Sequence, residues 1–381
     1  MTHRVNIGEV YDKNINFLIG SGASVGLIPT LSLGMKIDDE NNHTIETLAT
    51  EFDVDDDRIR QALLFMHYYR DCLMPAVDLS LKQAENSEAG RKVTNNYRQF
   101  LHTLIALLER KKSDRRCNIF TTNYDGCFPL VADSLLSSGQ YDLVINDGAD
   151  GFRTRLLDVR HYNKVTDRRG MFGSHRVEIP QINLLPLHGS VHWQKVNDRI
   201  RVDYASRAFE APPELEFCEK QLDQFSQAIS NPDTTLEKLR GIDIELADAE
   251  SFLLAYQALP IVNPTKWKFH ETVFEEHYYQ LLRLLSYELE KPDSVLITFG
   301  FSFADEHLLS LVRRALTNPK LQVFVCCYDK REFQEMTRHF KSYRNVQLIA
   351  SDDTIDFTNF NESVFSLNPS EPPETPDTQE A

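Results

Sequence analysis

The chain has 381 residues, of which 41% are hydrophobic, and its formal net charge is −16 at pH 7. This length suits one large domain or two ordinary ones, and the hydrophobic content is enough for a substantial core. The negative charge repels nucleic-acid backbones, so we do not expect direct nucleic-acid binding.

The sequence also argues against a membrane protein and a structural zinc site. No apolar stretch approaches the length of a membrane span, and the first residues lack the core of a signal peptide. The six cysteines are scattered and contain no C-x-x-C pair, which disfavours a zinc ribbon. We therefore expect a cytoplasmic protein without membrane association and without a metal.

Apolar runs alternate with amphipathic segments along the chain. This alternation predicts an α/β fold, with a Rossmann-like parallel sheet, helices on both faces and helical insertions. Helices are expected at Asp55–Asp71, Asn95–Arg110, Gly126–Leu136, Val273–Leu289, Asp305–Ala315 and Lys330–Phe340, with a helical cap within Phe217–Gln257. Strands are expected at Asn14–Ile19, Cys117–Phe120, Asp142–Ile145, Ile182–Leu187, Leu259–Val262, Ser294–Phe299, Leu321–Cys327 and Val346–Ala350.

We expect one catalytic domain over residues 1–367. Helical insertions are expected near 38–112 and 205–258, and an irregular insertion near 146–180, where Gly, Asp and Arg dominate. Residues 368–381 are rich in Pro, Glu, Thr and Asp, which indicates a disordered tail.

A glycine-rich segment follows the first predicted strand and consists of Gly20, Ser21, Gly22, Ala23 and Ser24. Closely spaced glycines let the backbone approach a pyrophosphate, and a following helix would offer free N–H groups to the anion. No Gly-Lys-Ser/Thr follows, so this is not an ATPase loop. A tight strand-to-helix turn without a ligand is the alternative.

Polar residues also follow the predicted strand Cys117–Phe120. Asn123 and Asp125 lie two residues apart after Thr122, where a carboxamide and a carboxylate could hold a ribose hydroxyl and an amide. The alternative is an Asx turn that caps the helix beginning at Gly126.

A histidine and a glycine–serine pair end two further predicted strands. His188 follows Ile182–Leu187 and could act as a base near neutral pH, although a lone histidine is more often structural. His192 lies past the next turn and is the second candidate for the base. Gly300 and Ser302 follow Ser294–Phe299, whereas Asp305 is expected to cap the next helix.

These motifs, in this order, resemble those of the sirtuin-like family of NAD-consuming enzymes. The resemblance implies that Asn123 positions ribose or water, Asp125 holds the nicotinamide amide and His188 is the base. It further implies that NAD is the substrate. The dinucleotide would be held by Gly20, Ser21, Gly22, Ala23, Ser24, Thr122, Gly300 and Ser302.

The sequence also departs from the family pattern. Thr122 replaces the usual glutamine, Thr30-Leu31-Ser32 stands where Phe-Arg is expected, and the four zinc cysteines are missing. The segment Leu259–Lys266 replaces the strand on which protein deacylases dock their peptide. These departures resemble the bacterial antiphage defence branch, which hydrolyses NAD and in some members assembles with a hexameric HerA-type ATPase.

The resemblance therefore implies an NAD hydrolase that releases nicotinamide and ADP-ribose, acts as a homo-oligomer and depletes NAD in antiphage defence. A protein deacylase or ADP-ribosyltransferase remains an alternative, which an acetylated peptide that accelerates nicotinamide release would favour. A third alternative is a regulatory module that binds NAD or ADP-ribose and gates a partner, which binding without turnover would favour.

Overall fold

The computed structural model of the chain describes residues 5, 7–38, 41–112, 114–169, 176–197, 199–205, 219–242, 249–264 and 276–367. The predicted tail at 368–381 lies outside these residues, as do 206–218 and 243–248 of the second helical insertion. None of the helices among the described residues has the length and hydrophobicity that a membrane span requires.

The described strands range from two to six residues in length. In chain order they are β1 (Asn14–Ile19), β2 (Ser32–Lys36), β3 (Asn42–Thr44), β4 (Arg116–Thr121), β5 (Val144–Asn146), β6 (Ala149–Asp150), β7 (Leu156–Leu157), β8 (Asp167–Arg169), β9 (Arg176–Glu178), β10 (Gln181–Pro186), β11 (Trp193–Val196), β12 (Arg199–Val202), β13 (Ser294–Phe299), β14 (Gln322–Cys326) and β15 (Val346–Ile349).

The described α-helices range from one turn to six turns. They are α1 (Ile7–Val10), α2 (Ile45–Val54), α3 (Arg58–Tyr68), α4 (Met74–Val77), α5 (Leu81–Ala84), α6 (Glu88–Arg110), α7 (Cys127–Ser137), α8 (Glu219–Ser230), α9 (Leu236–Arg240), α10 (Ala249–Gln257), α11 (Glu276–Glu290), α12 (Glu306–Ala315), α13 (Lys330–Phe340) and α14 (Phe357–Asn359).

A seven-stranded parallel sheet forms the centre of the molecule, in the order β15-β14-β13-β1-β4-β10-β5. This confirms the predicted Rossmann-like architecture. The four strands that carry the predicted motifs are neighbours, in the order β13-β1-β4-β10. Because these strands are parallel, the loops at their carboxyl ends meet at one edge of the sheet, which is where open α/β sheets bind ligands.

Successive side chains of each central strand enter cores on opposite faces of the sheet. Phe17 of β1 and Ile297 of β13 pack with α6 and α7, whereas Leu18 and Leu296 pack with α11 and α12. Both faces are covered, which explains why the central strands read as near-continuous apolar runs.

Six helices of the two predicted insertions share a separate hydrophobic core and form one lobe, whereas α6 packs on the sheet. The six are α2, α3, α4, α8, α9 and α10. Phe65 of α3 stacks on Tyr256 of α10, with ring centroids 4.9 Å apart, and Phe52 of α2 lies 6.4 Å from Phe225 of α8. Segments almost 200 residues apart in sequence are thus held together by aromatic packing. This lobe stands beside the carboxyl edge of the sheet.

The prediction of a strand at Leu259–Val262 is wrong. Leu259–Val262 forms only an isolated bridge between Gly189 and Ile261. Pro260 has no N–H to give to a ladder, which limits pairing. The helix predicted at Asn95 begins earlier, at Glu88, because the Ser87 side chain accepts a hydrogen bond from the Gly90 N–H at 2.9 Å.

Candidate active site

The loops that follow β1, β4, β10 and β13 enclose a cavity of about 820 Å³. This volume lies within the usual range for small-molecule sites, roughly 300–1,000 Å³. Gly20, predicted to contact the dinucleotide, is not among the lining residues and packs against Gly300 instead. The predicted site residues that line the cavity are Ser21, Gly22, Ala23, Ser24, Thr122, Asn123, Asp125, His188, Gly300 and Ser302.

The glycines of the loops after β1 and β13 pack against one another. A Cβ on Gly20 would lie 2.3 Å from the carbonyl oxygen of Gly300, and one on Gly22 would lie 2.6 Å from the Gly300 Cα. Gly300 itself has a φ of +62°, in the left-handed region. These glycines therefore let two strand ends approach to backbone contact.

The prediction of a helix directly after the first glycine loop is wrong. Residues Ser21–Ser24 form a single 3-10 turn, and the chain then turns away at Gly26, where φ is +95°. The Gly22 N–H donates to the Gly300 carbonyl and the Ala23 N–H to the Gly20 carbonyl, at 3.0 and 3.1 Å. These N–H groups already have acceptors, so phosphate binding would fall to other donors. The hydroxyls of Ser21 and Ser302 line the cavity and make no hydrogen bond with a described residue.

Ser24, which lines the cavity, connects three side chains. Its hydroxyl donates to Oδ2 of Asp125 at 2.7 Å and accepts from Nδ2 of Asn123 at 3.3 Å. The hydroxyl of Tyr97 lies 2.8 Å away and completes the cluster. Burial raises the pKa of Tyr97, which keeps this phenol protonated and able to donate. Ser24 was expected to contact the dinucleotide, but its hydroxyl is occupied by protein partners.

Asn123 presents an unused acceptor. Its backbone N–H donates to the Thr121 hydroxyl at 3.0 Å, and its Nδ2 donates to Ser24, so the orientation of the carboxamide is fixed. The Oδ1 atom is buried and has no hydrogen-bond partner. Buried acceptors are nearly always paired, so this atom is suited to a donor from a ligand or water.

Asp125 takes the alternative role considered from the sequence, because its Oδ1 accepts from the Cys127 N–H at 3.0 Å at the start of α7. The other carboxylate oxygen accepts from Ser24. Asp125 still lines the cavity. Capping and ligand contact are compatible, since each carboxylate oxygen has a second lone-pair direction.

His188 is paired with the carboxylate of Asp305, a contact that the sequence did not predict. Its Nε2 lies 3.0 Å from Oδ2 of Asp305, and the two side chains are only 8% and 9% exposed. Asp305 also caps α12, as expected, with Oδ1 accepting from the N–H groups of His307 and Leu308. The sequence signal for a helix cap was correct, but it gave no sign of the second contact.

The loop that carries Asp305 is strained. Phe303 has a φ of 56°, which a bulky side chain rarely adopts, and the strain costs roughly 1–3 kcal/mol. Its buried ring is held between Phe301 and Phe340, with centroids 4.9 and 5.1 Å away. This packing fixes the path of the loop from Gly300 to Asp305.

His192, the second-ranked histidine, lies outside the cavity. Its ring packs against Gly126, where a Cβ would lie 2.3 Å from Nε2, and against Tyr204 at a centroid distance of 4.8 Å. Burial lowers the pKa of His192 to about 4, so the ring is neutral near pH 7. A structural role fits these contacts.

The cavity lining is acidic. Lys92 is the one lysine or arginine among the described lining residues, and its Nζ lies 2.8 Å from Oδ2 of Asp356. Burial raises the pKa of Glu332. The surplus of negative charge favours a ligand, or a reaction intermediate, that carries positive charge. The lining carboxylates are Glu46, Asp125, Asp305, Glu332 and Asp356.

The helical lobe supplies part of the cavity wall. A π-helical turn at Tyr69–Leu73 places Cys72 and Leu73 on the cavity, next to Tyr68 of α3. Tyr124 bridges this wall to the segment after Ile261, because its hydroxyl donates to the Val262 carbonyl at 2.6 Å. π-helical turns occur often at functional sites.

No protein-family model matches the sequence, and a comparison with curated proteins found no significant match.

Proposed function

We propose that this protein is an NAD hydrolase that cleaves the nicotinamide–ribose bond and releases nicotinamide and ADP-ribose. The observation that carries the proposal is the convergence of Asn123 and His188 on one cavity. An orphaned buried acceptor and an imidazole paired with a carboxylate line the same space. The resemblance of the surrounding motifs to sirtuin-like enzymes supports the choice of NAD.

The residues present are compatible with NAD as the substrate. The cavity volume of about 820 Å³ is at the upper end of the usual range for small-molecule sites, as a dinucleotide requires. The hydroxyls of Ser21 and Ser302 are available for the pyrophosphate, and Lys92 is the one lysine or arginine among the described lining residues. The acidic remainder of the lining complements the positive charge of the nicotinamide ring.

In the proposed reaction, the bond between C1′ of the ribose and the nicotinamide nitrogen breaks, and its electron pair goes to that nitrogen. The sugar carbon becomes oxocarbenium-like, as in glycoside hydrolysis. The Asn123 Oδ1 accepts a hydrogen bond from the attacking water, and His188 removes the water proton. NAD and water give nicotinamide, ADP-ribose and one proton, which His188 returns to solvent.

Two features raise the efficiency of this step. A positioned base contributes roughly 10²–10⁴-fold to rate. The carboxylates of Asp125 and Asp305 stabilise the cationic sugar electrostatically, and the largely buried setting strengthens that interaction.

We further propose that activity is restrained until the protein assembles, as a homo-oligomer or with a hexameric HerA-type ATPase, in the cytoplasm. Unregulated NAD hydrolysis would deplete the cell that makes the enzyme, and depletion on demand would serve antiphage defence. This part of the proposal depends on the resemblance alone. A constitutively active monomer in size-exclusion chromatography would contradict it.

The test is nicotinamide release by purified protein incubated with NAD, with and without a HerA-type ATPase. We expect the parent chain to produce nicotinamide and ADP-ribose in equal amounts, and His188→Ala and Asn123→Ala to lose most of that activity while remaining folded. His102→Ala is the matched control, since His102 does not line the cavity and its ring hydrogen-bonds with Tyr141 instead. Parent-like NAD consumption by both site variants would refute the assignment.

A further inference from the structure

We propose that Asp305 is a positioning residue that fixes which nitrogen of His188 accepts the proton. The inference rests on the proposed function for its catalytic meaning, but not for its geometry. Asp305 Oδ2 lies 3.0 Å from His188 Nε2 within a largely buried pair. An ionised carboxylate only accepts hydrogen bonds, so Nε2 carries the proton of the neutral ring.

The other ring nitrogen is then the proton acceptor. His188 lines the cavity, and its Nδ1 makes no hydrogen bond with any described residue. With Nε2 protonated, Nδ1 keeps its lone pair and is free to take a proton from water. When it does so, the Nε2–H bond to Asp305 becomes charge-assisted and stabilises the imidazolium.

The carboxylate of Asp305 is held in place by the start of α12. Its Oδ1 accepts from the N–H groups of His307 and Leu308 at 2.9 and 3.1 Å, so rotation of the carboxylate would break the cap. The helix itself is anchored to the sheet by buried residues such as Leu308 and Val312. The tautomer of His188 is therefore set by a rigid element rather than by a mobile side chain.

The decisive variant is Asp305→Asn. Its single oxygen can keep the cap on α12, which leaves the amide NH₂ facing His188 Nε2. An NH₂ group only donates, so Nε2 must lose its proton and Nδ1 must gain it. We expect the kcat for NAD hydrolysis to fall by about 10²–10⁴-fold, as expected for a wrong tautomer, with KM changed less than about 3-fold.

The matched control is Asp329→Asn. Asp329 caps α13 by accepting from the Glu332 N–H at 2.8 Å, at the end of the neighbouring strand β14. It is not among the residues that line the cavity, so we expect parent-like kinetics. Asp305→Ser, which retains a capping side chain but offers no carboxylate, should lose activity with little loss of stability.

Two readouts separate positioning from a merely structural role. In a His188→Ala background, Asp305→Asn should cause no further loss of rate, because the two residues act as a unit. In ¹⁵N-histidine NMR spectra, the His188 signal should report a protonated Nε2 in the parent and a protonated Nδ1 in Asp305→Asn, with His188→Ala providing the assignment.

The spectra test the inference even if the protein fails to cleave NAD, in which case only the proposed function is lost. A protonated Nδ1 in the parent would overturn the inference. An equal loss of rate from Asp305→Asn with and without His188 would also overturn it.

Discussion

Substitution of Ser24 by alanine should weaken both the fold and the site, because one hydroxyl links three buried groups. The variant removes the hydrogen bond to the Asp125 carboxylate, and bonds of this kind contribute about 1.5–3 kcal/mol. It also deprives the Tyr97 hydroxyl and the Asn123 amide of an acceptor. We expect the free energy of unfolding to fall by about 3 kcal/mol.

The first assay is urea denaturation of the parent and of Ser24→Ala. The second is nicotinamide release, measured in buffer without urea, in which both proteins are folded. Ser21→Ala is the matched control, since Ser21 lies in the same 3-10 turn, is exposed and has no described hydrogen-bond partner. It should unfold within about 0.5 kcal/mol of the parent. If Ser24→Ala is as stable as Ser21→Ala and as active as the parent, the proposed linking role of Ser24 is refuted.

Three further substitutions test other parts of the site. Gly300→Ala should destabilise the protein by several kcal/mol and abolish nicotinamide release, because a Cβ would lie 2.8 Å from the backbone of the first glycine loop. Gly139→Ala is the control, since Gly139 has a φ of +68° but nothing within 4 Å of the added Cβ, and it should cost only about 1–2 kcal/mol. Burial lowers the pKa of His192 to about 4, below its unfolded value of about 6.5. The contribution of the neutral ring to the free energy of unfolding should therefore be fully present above pH 6.5 and be lost as the pH drops toward 4. Urea titrations at several pH values should show that dependence reduced in His192→Gln. Lys92→Ala should change stability by less than about 1 kcal/mol but raise the KM for NAD several-fold in steady-state kinetics, whereas Lys82→Ala on the exposed face of α5 should alter neither.

The position of the site could be predicted from the sequence because it follows from strand patterning. Apolar runs such as Ser294–Phe299 indicate strands buried on both faces, and polar or glycine residues directly after them fall at the carboxyl edge. The motifs at Asn123, His188 and Gly300 were located in this way without knowledge of the strand order. Their convergence then required only that β13, β1, β4 and β10 be neighbours.

The pairing of His188 with Asp305 could not be predicted. The residues are 117 positions apart, and the capping role of Asp305 already accounted for its presence at a helix start. The role of Gly22 was likewise hidden, because a glycine that binds phosphate and one that packs against another backbone look identical in sequence. The wrong strand prediction at Leu259–Val262 has a simpler cause, since Pro260 interrupts a short apolar run.

The most direct measurement is an experimental structure of the His188→Ala variant with NAD bound. We predict that the nicotinamide–ribose bond lies beside the Asn123 carboxamide, in the space that the imidazole of His188 faces in the parent chain, with the pyrophosphate toward Ser21 and Ser302. NAD bound elsewhere on the protein, or bound in this cavity with its nicotinamide end remote from Asn123, would contradict the proposed site.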